Sequence, residues 1–220
     1  MPVKRASKVE AEGLGTDKTA PKWRRRAHAR PDELLDAALD EFIAKGFDAA
    51  RIEDIAKRAG LSKGAVYLYF ASKEELLRAL IEREVAPVLG RVTAMAKAAE
   101  DPRATLLLIG RTVGVVLSNP RLVAIPQLVI SIANRFPELR DYYRKEVVGQ
   151  GRAAVEALYK RGVDLGQFRD LPPGFASRML VGPILMEALW THVLKGKTGM
   201  TDAKWIERQF ETALAGLEKR

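Results

Sequence analysis

Two features predict an all-α protein built as a small N-terminal three-helix unit, a long connecting helix and a larger C-terminal helical domain. From Pro31 onward apolar residues recur at helical spacing, and the breaks between these runs carry Gly, Pro, Asn or Ser. Nowhere does a period-2 run flanked by turn residues occur, so no strand is predicted.

Residues 1 to 27 mix Lys, Arg, Gly, Thr and Pro without an apolar period and are expected to form a flexible basic arm. The first helix is expected from Pro31. Leu34, Leu35, Ala38, Phe42 and Ile43 share its spacing, Asp32 and Glu33 lie in the first turn, and Gly46 ends it as a left-handed cap. Two short segments follow, Ile52 to Ala59 and Lys63 to Phe70. Ser72 with Glu75 three residues on is a capping box, and it opens a long helix toward Ala99 in which Pro87 introduces a kink. Beyond Pro102 helices are expected at about 103–118, 121–134, 138–161, 174–195 and 202–218. The domains expected are thus the arm 1–27, a unit 28–88 and a unit 89–220.

Composition narrows the function. Apolar residues make up 47% of the 220 and charged residues 30%, the balance of a globular chain. With no cysteine and two histidines, neither a disulfide nor a thiolate or multi-histidine metal site is expected. No export signal and no membrane span is expected, which points to the cytoplasm. Gly-rich phosphate loops and nucleophile–base sets are missing from the sequence, so neither an enzyme nor a cofactor is expected. The net charge of +9 is unevenly placed: residues 1–30 hold nine Lys/Arg against three Asp/Glu, whereas residues 31–75 hold six against ten. An argument for nucleic acid must therefore rest on pattern rather than on isoelectric point.

That pattern lies in Ile55 to Phe70. A helix-turn-helix needs small residues where two short helices touch, a turn residue that accepts positive φ, and an apolar anchor under the second helix. Ala56, Gly60 and Val66 meet these needs, Leu61 packs on the turn, and Ser62 caps the second helix. Ile52, Ile55, Ala59, Val66 and Phe70 are expected to close onto Leu35, Leu39 and Phe42. Lys63, Gly64 and Ala65 then form an outward first turn suited to phosphate and to close approach of base edges. Tyr67 and Tyr69 face outward with a hydroxyl and a ring, and Lys73 is placed to neutralise another phosphate.

The stretch from Pro31 to Arg83 resembles the N-terminal domain of the tetracycline-repressor (TetR) family, about a quarter of the chain. The resemblance is carried by Gly46-Phe, Ile52-Glu-Asp-Ile-Ala, Ala59-Gly-Leu-Ser-Lys-Gly-Ala-Val-Tyr and Tyr69-Phe-Ala-Ser-Lys-Glu-Glu-Leu76. It implies a homodimer of about nine helices per subunit that reads a near-palindromic operator in successive major grooves. Ser62, Lys63, Gly64 and Tyr67 fall where the family reads DNA, and Tyr69 and Lys73 where it grips phosphates. Two positions depart from the pattern: Arg51 stands where Thr or Ser is common, so its contact is expected to be a longer-range phosphate pairing, and Leu68 offers no polar contact. Trp23-Arg-Arg-Arg26 of the arm either enters the minor groove or belongs to a solubilising tail.

Residues 89–220 are expected to bind a small-molecule effector and to dimerise. Helix 103–118 is apolar on nearly all sides and is expected to be central, with Arg111 and Gly114 interrupting it. One reading is a ligand cavity lined by Leu107, Arg111, Gln127, Asn134, Tyr142, Met179, Met186 and Trp190; the other is an ordinary bundle core with Arg111 at the surface. Glu187 and His192, five apart, are placed on different faces of their helix, which favours a structural histidine. The apolar stripes Phe175, Met179, Ile184, Leu189, Val193 and Trp205, Ile206, Phe210, Ala213, Leu214, Leu217 either pair with a twofold mate across residues 174–218 or bury within one subunit. The expected function is a sequence-specific DNA-binding transcriptional regulator, a repressor released from a palindromic operator by a small molecule. The alternative is a ligand-independent architectural protein with the same reader.

Overall fold

The computed structural model describes the backbone of residues 22–196 and 203–219, and side chains from residue 31. Among the described residues it is helical without a sheet: an isolated bridge between Phe168 and Glu218 is the one β-type pairing. Helix α1 spans Lys22–Ala49, α2 Ile52–Arg58, α3 Lys63–Tyr67 and α4 Lys73–Glu84. Then follow α5 Ala86–Ala98, α6 Pro102–Leu117 and α7 Pro120–Ile132. A short α8, Pro137–Tyr142, runs through a π-helical segment Tyr143–Gly149 into α9 Gln150–Asp164, and α10 Phe175–His192 and α11 Ala203–Ala215 close the chain.

Local chemistry sets most of these boundaries. Gly46 kinks α1 rather than ending it: with φ 77° and ψ 166° it leaves the helical conformation without taking the left-handed cap, and the helix runs on to Ala49. The connecting helix breaks at Val85, because Pro87 lies in the first turn of α5 and has no N–H to continue the ladder. Asp101 and Asn119 cap α6 and α7, each followed by Pro at the first helical position. One boundary differs from expectation: α1 begins at Lys22, so residues 22–27 of the expected arm run as helix and Pro31 is accommodated inside it. Residues 1–21 of that arm lie outside the described residues.

Two cores form, and they do not divide at residue 88. The first gathers Leu34, Leu39 and Phe42 of α1, Ile52 and Ile55 of α2, Val66 of α3 and Leu76 to Ile81 of α4, as the sequence predicts for the reader, with Ala59 and Phe70 partly buried at its edge. It also takes in Ile125, Leu128, Val129 and Ile132 of α7, with Leu139 and Val147 beyond. The second core joins α5, α6, α9, α10 and α11. Arginines at both ends of α7 pin it to α1: Arg121 pairs with Asp40, and Arg135, just past the helix, with Asp48. Helix α7 thus belongs by sequence to the second half but packs against both, with one face completing the first core and further contacts to α6 and α10.

Helix α6 is central on one side only. Leu106, Ile109, Gly110 and Gly114 are buried, whereas Leu108, Arg111 and Val115 face out, and Arg111 pairs with Glu207 of α11. The space beside its glycines is filled by α11. A Cβ on Gly110 would stand 2.6 Å from the Phe210 ring, and one on Gly114 2.5 Å from an Ile206 methyl. The α11 stripe is therefore intramolecular: Ile206, Phe210, Leu214 and Leu217 are all buried.

Gly110→Ala gains about 1 kcal/mol of helix propensity but must displace a buried ring, at about 1 to 3 kcal/mol. Net destabilisation of about 1 kcal/mol is expected in urea titrations, and a raised midpoint would contradict the close α6–α11 contact.

Candidate nucleic-acid interface

The turn between α2 and α3 is built as its sequence requires. Gly60 adopts φ 67°, and Leu61 N–H donates to the Ala56 carbonyl at 2.9 Å, folding the chain back under α2. Ser62 then caps α3, its Oγ accepting from Ala65 N–H at 3.2 Å. Val66 is fully buried and anchors α3 to the first core. What remains outward is Ser62, Lys63 and Gly64 in the first turn, with Ala65 half-buried, then Tyr67 at 47% exposure, Leu68 at 83% and Tyr69 at 38%. Arg51, at the start of α2, is also exposed, with its side chain not engaged in capping.

Electrostatics on this face centre on one pair. Lys63 Nζ lies 2.5 Å from Glu53 Oε1 of α2 and 5.9 Å from the centroid of the Tyr67 ring. Their hydrogen bond holds the Glu53 carboxyl below its ordinary value and the Lys63 ammonium above its own. Both groups are more than half exposed, so a phosphate can exchange for the carboxylate at little cost. Other reader carboxylates are engaged elsewhere. Glu41 is buried, and its carboxyl is held low by hydrogen bonds from Lys45 and Arg58. Asp54 accepts from Lys45, and Asp36 pairs with Arg83 of α4 at 2.7 Å.

Lys73 is engaged within the chain. Its ammonium donates to the carbonyls of Phe47, Asp48 and Ala50 at 2.8, 3.1 and 3.0 Å and lies 4.9 Å from the Phe47 ring centroid. The three donors of a lysine ammonium are thereby all used within the chain. They satisfy carbonyls past the kink at Gly46, and they fix the start of α4 to the end of α1. Lys73 thus acts as a cap on the end of α1.

The residues expected to line an effector cavity are not brought together. Leu107 packs beside the second core, Arg111 faces outward, and Gln127 and Asn134 are exposed on and just beyond α7. Met179, Met186 and Trp190 lie with Phe175 and Pro183 on the outer face of α10, where Met186 is 63% exposed. Tyr142 borders a groove. Its ring stacks under Arg78 of α4 at 4.4 Å and its hydroxyl donates to Glu82 at 3.1 Å. Grooves of about 390 and 510 Å3 flank this contact between α4 and the α8–π segment. Glu187 and His192 are also placed differently from expectation. Both line one small void of about 20 Å3 with Ser118 and Thr191, room for a single water. Among the described residues there is no cluster of three potential metal ligands, and no single helix is long and apolar enough to cross a membrane.

Comparison with known proteins places this architecture. Residues 34–80 match the model of bacterial regulatory proteins of the tetR family, and residues 97–198 match the tetracyclin repressor-like C-terminal domain. The fatty acid metabolism regulator protein of Bacillus subtilis is 25% identical over 154 residues, covering 69% of this chain and 78% of that protein. The HTH-type transcriptional repressor KstR2 of Rhodococcus jostii is 29% identical over 165 residues, 73% of this chain and 79% of that one. Among solved structures, FadR from Bacillus subtilis in complex with stearoyl-CoA superposes with a TM-score of 0.72 at 21% identity, over 84% of this chain and 98% of that one.

Lys73→Met is expected to lower stability by about 2 kcal/mol, since carbonyls lose a charged donor, while leaving the salt dependence of DNA binding unchanged. Lys63→Met is expected to keep stability and to reduce the log–log salt slope by about one for each subunit bound. Fluorescence anisotropy against KCl, on a duplex selected from a random pool, separates the two roles; a reduced slope in Lys73→Met would return that residue to the interface.

Proposed function

Because the chain belongs to the tetracycline-repressor family of DNA-binding transcriptional regulators, we propose that it is a homodimeric repressor that reads a palindromic operator with α3 and releases it when a small molecule binds. The observation that carries the reading is the outward face of α3. Lys63, Gly64, Tyr67 and Tyr69 are left to solvent while Val66 locks the helix to its core. Ser62, Ala65 and Arg51 flank that face and complete the set we assign to DNA.

The dimer surface we propose is the outer face of α10. Phe175, Met179, Pro183, Met186 and Trp190 recur at helical spacing on one side, all exposed, with Gly182 allowing close approach. A self-complementary apolar stripe of this kind suits a twofold contact. Met179, Met186 and Trp190 thereby pass from the expected cavity to the expected interface.

For the effector we propose a long-chain acyl thioester. The support is the relative named a fatty acid metabolism regulator and the stearoyl-CoA held by a protein of the same fold. Such a ligand must prefer one state of the dimer by several kcal/mol to shift operator occupancy from nearly full to nearly empty. The route we assign runs through α7, which shares its core with α1 and α4. The function proposed is that of a cytoplasmic regulator, with no catalytic step assigned to it.

Light scattering of the intact protein is expected to give a dimer, and Met186→Glu a monomer with unchanged helicity and DNA affinity lowered at least tenfold. Stearoyl-CoA is expected to displace the selected duplex in a titration that free CoA does not reproduce. A dimer indifferent to Met186→Glu, or a duplex retained at saturating thioester, would overturn the corresponding assignment.

A further inference from the structure

The most exposed large apolar side chain among the described residues is not on the dimer stripe. It is Leu68, at 83% exposure, directly after the last residue of α3. Val66, two positions earlier, points the opposite way and is fully buried, so the direction of Leu68 is fixed by the anchor of the helix. Gly64 lies four residues before it, on the same face at helical spacing. A Cβ placed on Gly64 would meet nothing within 4 Å. The face is therefore a glycine gap followed by an isobutyl group, with Tyr67 and Tyr69 exposed on either side.

A leucine here can neither donate nor accept a hydrogen bond, and in the free protein it gains nothing from burial. Base edges in the major groove present one apolar feature, the C5-methyl of thymine; every other distinguishing mark is a donor or an acceptor. We infer that Leu68 reads a thymine by its methyl group, making it the apolar specificity determinant of each half-site. The inference rests on the assignment of the α3 face to DNA and adds the base that this face selects. Gly64 leaves the backbone close enough to the base edges for a side chain of four carbons to reach the methyl. Tyr67 and Tyr69 give it phosphate or sugar contacts on both flanks.

The test uses the intact protein and the duplex it selects from a random pool. Each thymine in turn is replaced by deoxyuridine, which removes the methyl and leaves Watson–Crick pairing intact. Wild type is expected to show one methyl-sensitive thymine per half-site, with affinity reduced about fourfold, the factor expected for withdrawing one buried methyl group. Leu68→Ala removes the contact from both half-sites, so it is expected to bind the unmodified duplex about sixteenfold more weakly, the fourfold factor taken twice, and to lose all sensitivity to that deoxyuridine. Because Leu68 contributes nothing to the core, the variant is expected to melt with wild type. The scan of wild type stands by itself in any case: a profile without a sensitive thymine overturns the inference. So does a deoxyuridine penalty that persists in Leu68→Ala. Gly64→Val distinguishes the underlying assignment. If it abolishes binding while the deoxyuridine profile of wild type is flat, α3 reads DNA without Leu68; if it binds normally, both readings fall.

Discussion

The reader depends on a core that it cannot close by itself. Helices α1 to α4 supply three sides, and the fourth is the row Ile125, Leu128, Val129 and Ile132 on α7. Burying an aliphatic side chain is worth about 1.5 to 3 kcal/mol, so these four carry roughly 6 to 12 kcal/mol as an upper bound. That is as large as the whole stability of a typical domain, about 5 to 15 kcal/mol. The position of α3 on a duplex is thus tied to where α7 sits. A change in the second half that moves α7 has no way to leave the reader undisturbed, and this is the physical content of the coupling we propose between effector and operator.

Charge follows the same division. Residues 31–75 carry more acid than base, an awkward property for a DNA reader. The structure resolves it by direction. Asp36 and Asp40 turn to Arg83 and Arg121, Asp48 to Arg135, and Glu41 to Lys45 and Arg58. Exposed pairs of this kind add little stability one by one. Their effect is to spend the acidic charge on α4, α7 and the inner side of α1. Glu53, by contrast, is paired with α3, through Lys63.

How far the sequence could be read depends on the range of each interaction. The turn was legible because its determinants are local: Gly60 for positive φ, Ser62 and Ser72 for caps, Val66 for the anchor. The bonds of Lys73 are not legible in the sequence because its acceptors lie 23 to 26 residues upstream, and no spacing rule reveals a donor to a distant helix end. In the sequence the eight cavity residues stand out as polar or bulky interruptions of apolar helices. Where a helix is apolar all round, periodicity cannot say which side faces in, so Arg111 and the α10 methionines were placed inside while they lie outside. The α11 stripe had two readings in sequence, and Gly110 and Gly114 decide between them by accepting Phe210 and Ile206. Nothing in the spacing announced that Glu187 and His192 would border one void.

Native-state hydrogen exchange of the intact chain in low denaturant tests the shared core most directly. The amides of α1, α4 and α7 are predicted to open as one cooperative unit, with the same free energy and the same denaturant dependence. An α7 that exchanges through a separate, shallower opening while α1 and α4 keep their protection would contradict the account.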